Sequence, residues 1–157
     1  MSGLPVAHEV HPAGSWTLAA TRCEMTYEER FFRRKKLITV DGWALVADFP
    51  QTRSLEHGDA LQLEDGRLVE VVAAPEALLC VEGADLPRLA WHIGNRHTPC
   101  QIEAGRLLIR EDRVIAHMLE HLGATITPMR APFTPEGGAY GHGRTHAHEH
   151  GASAHVA

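Results

Sequence analysis

The stretch from Ala77 to Met129, ALLCVEGADLPRLAWHIGNRHTPCQIEAGRLLIREDRVIAHMLEHLGATITPM, decides the fold. Its apolar residues change period in a readable order. ALLCVEG (77–83) is a short apolar run closed by glycine and reads as a strand. In ADLPRLAWHIGNRH (84–97), Leu86, Leu89, Ala90 and Ile93 fall at helical spacing, with Asp85 placed to cap the helix. CQIEA (100–104) and RLLIR (106–110) read as two short strands that turn at Gly105. DRVIAHMLEHLG (112–123) is the clearest helix. Val114, Ile115, Met118, Leu119 and Leu122 are its apolar positions, Asp112 can cap it and Gly123 ends it. ATITPM (124–129) closes as a strand. The order β-α-β-β-α-β is the ferredoxin-like pattern.

Upstream of this stretch the chain is β-rich. LITV (37–40) and WALVADF (43–49) are separated by Asp-Gly, and PQTRS (50–54) reads as a turn. In LEHGDALQLEDGRLVEVVAA (55–74), GD and DG interrupt the alternating segments ALQL and RLVEVV. Such spacing predicts a small sandwich or barrel. The expected class is therefore α+β. A small N-terminal β domain (1–75) precedes a ferredoxin-like domain (76–138), and a disordered His-rich tail (139–157) follows.

Composition narrows the function classes. The hydrophobic content of 44% can fill a core, and with only 6% aromatic residues that core is mostly aliphatic. A net charge of −5 argues against nucleic acid, for which a basic face would be expected. The basic cluster Arg30, Arg33, Arg34, Lys35 and Lys36 follows Glu24, Glu28 and Glu29, and reads as a solvated face rather than an anion site. No basic n-region precedes an apolar segment at the start, and no apolar run reaches membrane-span length, so neither a signal peptide nor a membrane partner is expected. Cys23, Cys80 and Cys100 are odd in number and far apart, with no CxxC. They suit buried positions in a reducing compartment, and the expected location is the cytoplasm.

Histidine is the unusual feature. The chain has 12, and His142, His146, His148, His150 and His155 crowd its last residues. Glycine, alanine and charged residues surround them, so the tail cannot bury enough apolar surface to offset the entropy of ordering. It offers imidazole at high local density, and imidazole suits Zn, Cu, Fe and Ni. An expression tag would be an unbroken run, whereas this one is interspersed. HMLEH (117–121) matches the inverted zinc-peptidase motif H-x-x-E-H, with His117 and His121 on one helix face and Glu120 as a base. The preferred reading is the outer face of an amphipathic helix, because little chain remains for a cleft or a third ligand. In WHIGNRHTP (91–99), His92 and His97 flank Gly94 and Asn95, residues suited to a left-handed helix end.

At WHIGNRHTP the sequence resembles the urease accessory protein E family, nickel metallochaperones of urease maturation. RFFRRKKLITVDGWALVADFP and LEHGDALQLEDGRLVEVVAAPEALL resemble its first-domain segments. GNRH, then QIE, a helix ending in LG, and PFTPEGGAY (132–140) resemble its second. The resemblance implies a peptide-binding-like β domain and a ferredoxin-like metal-binding domain that forms a homodimer. It implies that His97 lies at the dimer interface and binds metal, so that two copies face one ion. Some members carry H-D-H after the second central strand; here Glu111, Asp112 and Arg113 stand there, which puts those peripheral sites in doubt.

The expected function is collection of Ni(II) by His97 and the tail and its delivery to a urease accessory GTPase and apo-urease. By the Irving–Williams order the same ligands also take Zn(II) or Cu(II). No catalytic residue is implied on this reading. The alternatives are a metal storage protein and a metal-dependent hydrolase using His117, Glu120 and His121.

Overall fold

The computed structural model describes residues 3–138 and Arg144. The chain divides between Ala74 and Pro75 into two compact units. The first contains β1 (Val6–His11), β2 (Thr21–Met25), β3 (Phe31–Ile38), β4 (Ala44–Ser54), β5 (Ala60–Leu63) and β6 (Leu68–Ala73). They form one sheet in the order β2-β6-β5-β1-β4-β3. The sheet curls: the Val40 amide, just past one edge strand, donates to Arg22 O on the other at 3.0 Å. Strand alternation sends Leu45, Ala47 and Phe49 of β4 and Val69 and Val71 of β6 to the same core, where Cys23, Met25, Leu61 and Leu63 join them. The Asp-Gly turns at 41–42 and 65–66 place Gly42 at φ +95° and Gly66 at φ +96°, a region that costs glycine nothing.

Two expectations for this unit need correction. PQTRS is not a turn, because β4 continues through it to Ser54. The pairing jumps from Arg34↔Asp48 to Phe32↔Arg53, and this bulge absorbs Pro50, which cannot donate to a ladder. Arg30 does not belong to the solvated basic face. It is 1% exposed, and its guanidinium donates to Leu55 O at 3.2 Å and Met25 O at 3.0 Å. Arg33, Arg34 and Lys36 do lie outward on β3, and Arg34 donates to the Asp48 carboxylate at 2.6 Å.

The second unit contains β7 (Pro75–Glu82), α1 (Leu86–Asn95), β8 (Gln101–Ile102), β9 (Leu107–Arg110), α2 (Arg113–His121) and β10 (Thr125–Pro132). The sheet order is β10-β7-β9-β8, antiparallel throughout, which is the ferredoxin-like arrangement. Leu89 and Ile93 of α1 and Ile115 and Leu119 of α2 pack on Leu79, Val81, Leu107 and Ile109. Asp85 accepts from the Arg88 amide at 3.3 Å and Asp112 from the Ile115 amide at 3.0 Å, so both expected caps form. Asp112→Ala should cost this unit about 1 kcal/mol. Thermal unfolding should show it as a drop of a few degrees; an unchanged midpoint would mean that the cap contributes nothing.

Candidate metal centre

His97 stands where α1 ends. The helix runs through Gly94 and Asn95 rather than stopping at them, so neither is the left-handed residue the sequence suggested. That residue is His97 itself, at φ 56°, the one non-glycine with positive φ among the described residues. The Thr98 amide donates back to Ile93 O at 3.3 Å and the His97 amide to Gly94 O at 2.9 Å. This pair of bonds is the Schellman closure, in which the left-handed position is normally glycine. A β-carbon there costs about 1–2 kcal/mol. The chain therefore carries an imidazole where the backbone would prefer none.

The His97 side chain is exposed and makes no hydrogen bond to a described residue, so both ring nitrogens are open to a ligand. On the same helix Trp91 is 63% exposed and stands edge-on to the half-buried His92, with ring centroids 5.1 Å apart. Burial, then the nearby Glu136 carboxylate, pushes the thiol of Cys100, three residues on, up to about 11, so it stays protonated in the absence of a metal. Cys23 is likewise pushed up to about 11 by burial, and Cys80 is buried in β7. All three fit the packing role read from the sequence.

The closing segment brings the root of the tail to this place. Phe133 is fully buried, the Thr134 amide donates to Gln101 Oε1 at 2.8 Å, and the Glu136 amide donates to Cys100 O at 2.8 Å. Gln101 Nε2 in turn donates to Glu103 Oε2 at 2.7 Å. The hydrogen bond from Arg106 holds the Glu103 carboxyl below its usual range. The chain thus leaves the domain alongside Cys100, a few residues from His97. The tail histidines His142, His146, His148, His150 and His155 lie outside the described residues.

The other candidates separate from His97. His117, Glu120 and His121 are exposed on the outer face of α2, as preferred from the sequence. Among the described residues no three His, Cys, Asp or Glu side chains converge as a metal cluster. Glu111 is exposed, Asp112 is occupied in capping α2, and Arg113 opens that helix. Two features were not anticipated: the left-handed backbone of His97 and the anchoring of residues 133–136 by Gln101 and Cys100. No helix among the described residues is long and apolar enough to cross a membrane.

Comparison with known proteins agrees with this architecture. Residues 5–74 match the family model described as the UreE urease accessory protein N-terminal domain, and residues 70–156 match its C-terminal domain. The chain is 60% identical over 147 residues to the urease accessory protein UreE of Ruegeria pomeroyi, covering 94% of this chain and 99% of that one. It is 55% identical over 152 residues to the UreE of Cereibacter sphaeroides, with 96% and 83% covered. With the UreE of Rhodobacter capsulatus the identity is 52% over 151 residues, and 96% of each chain is covered. The chain therefore belongs to the UreE family of urease accessory proteins, which serve urease maturation.

Proposed function

We propose that the chain is a metallochaperone that binds Ni(II) through His97 and passes it on for assembly of the urease active site. The observation that carries the reading is the left-handed backbone of an exposed His97. The strain is stability given up at this position, and an exposed imidazole at a rigid helix end is what it yields. In this proposal two chains pair through the second domain, the exposed Trp91 contributes to the contact, and one His97 from each chain meets one ion.

A two-imidazole site leaves positions open on Ni(II). Water or tail imidazoles fill them and then give way to the ligands of a recipient, so release proceeds by ligand exchange. The anchoring of Glu136 beside Cys100 supports this, since the chain beyond it starts close to the His97 loop. The recipients are a urease accessory GTPase and apo-urease, met in the cytoplasm. Zn(II) and Cu(II) compete for the same nitrogens. In this reading residues 1–75 are a β domain, residues 76–138 hold the metal site, and residues 139–157 collect ions.

Because protons and metal compete for imidazole, Ni(II) affinity should fall as the buffer is taken from pH 7.5 to about 5.5, through the ordinary titration range of histidine. Equilibrium dialysis at the two pH values checks it; equal affinity would exclude histidine ligation. Delivery itself is tested by activating apo-urease with the Ni(II)-loaded chain and the GTPase. His97→Asn should fail to activate at limiting nickel, while full activation by that variant would leave His97 without the assigned role.

A further inference from the structure

The first unit places a second histidine in an environment built for a cation. His8 is the extra residue of a bulge in β1: Ala7 pairs with Leu63 and Glu9 with Gln62, so one step along β5 matches two along β1. Bulges re-aim side chains. On its other side β1 pairs with β4, Ala7 opposite Ala47, which brings Asp48 level with His8. His8 Nδ1 lies 2.9 Å from the Asp48 backbone oxygen, and Nε2 lies 3.2 Å from Glu64 Oε2.

Both partners are acceptors. The carbonyl can only receive a proton, so Nδ1 carries one. In the neutral ring Nε2 then has a bare lone pair, and it faces a carboxylate that also offers lone pairs. Something positive must sit between them, either the second ring proton or a metal ion. The Asp48 carboxylate is not a further ligand, because it is already paired with arginine. Arg34 at 2.6 Å and Arg33 at 3.9 Å occupy it. The two acceptors also raise the pKa of His8, the Asp48 carbonyl more than Glu64.

We propose that His8 Nε2 and Glu64 form a divalent transition-metal site on the first unit, with the Asp48 carbonyl fixing the ring. Metal–nitrogen and metal–carboxylate bonds of about 2.0–2.1 Å, set at 90–100°, separate the two donor atoms by about 2.8–3.2 Å. The observed 3.2 Å therefore accepts an ion with little rearrangement. The Nδ1–H···O=C bond is the usual outer support of a metal-bound histidine, orienting the ring and raising its basicity. The side chains are 51% and 65% exposed, so a hydrated ion reaches them and water completes its coordination. With two protein ligands the site is an exchangeable one, weaker than a closed cage.

Cu(II) is the probe, because it binds N/O ligands most tightly of the first-row divalent ions and broadens nearby NMR signals. The full-length chain, uniformly labelled with nitrogen-15, is titrated with Cu(II) beyond the capacity of the tail. Amides of Ala7–Glu9, Ala47–Asp48 and Leu63–Asp65 should broaden together. In His8→Gln, whose side-chain amide can still donate to Asp48 O, that broadening should disappear. In Glu64→Gln the copper concentration giving half-broadening should rise about tenfold or more. Intact signals at these amides in the natural chain would overturn the proposal. So would the same broadening in His8→Gln, which would mean that copper held elsewhere causes it.

Discussion

His97→Gly should make the protein more stable and remove its core metal site at the same time. Position 97 closes a Schellman motif with φ 56°, a conformation that a side chain disfavours by about 1–2 kcal/mol. Glycine relieves that cost but loses more conformational entropy on folding, so the net gain should be about 0.5–1 kcal/mol. The melting temperature should rise by a few degrees. Ni(II) affinity of the core should fall by at least about 100-fold, since a ligand is lost rather than an outer support. His97→Ala removes the ligand and keeps the backbone strain, so it should lose the metal without the stability gain. A glycine variant that is less stable than the natural chain would mean that the imidazole itself holds the helix end together.

Arg30→Ala should be the most damaging single change in the first unit, costing about 3–5 kcal/mol. The side chain is 1% exposed and ties the end of β2 to the end of β4 through Met25 O and Leu55 O. Its own backbone oxygen receives the Leu55 amide at 2.8 Å. Truncation leaves a cavity and an unpaired carbonyl at Leu55, which is itself buried. Met25 O fares better, because it also accepts from the Ala74 amide at 2.8 Å. Arg30→Met fills most of the space and should recover part of the loss. Hydrogen exchange of the β2 and β4 amides reads the effect within the unit; exchange within tenfold of the natural chain in Arg30→Ala would contradict it.

The second unit was legible because its signals are local. Helical spacing, Asp85 and Asp112 at the caps, and Gly123 after α2 each lie within a few residues of what they control. The first unit depends on distant pairings. β1 and β2 are short, lack a clean apolar alternation, and pair in parallel with β4 and β6, so nothing local announces them. Pro50 read as punctuation until a bulge on the β3–β4 ladder accommodated it. Arg30 looked like its basic neighbours because a charge run does not reveal which member turns inward. His97 was identified through the residues around it, but its left-handed backbone was not, since Gly94 and Asn95 were better suited to that conformation. The His8–Glu64 pair spans 56 residues and has no sequence signature.

If the core holds the delivery site and the tail collects, the two separate on truncation. The deciding measurement is a calorimetric Ni(II) titration of the chain ending at Gly138, beside the same chain carrying His97→Ala. The shortened chain should keep a tight site at one ion per two chains, and His97→Ala should remove it. If shortening alone abolishes tight binding, the metal belongs to the tail histidines and the assignment of His97 is wrong.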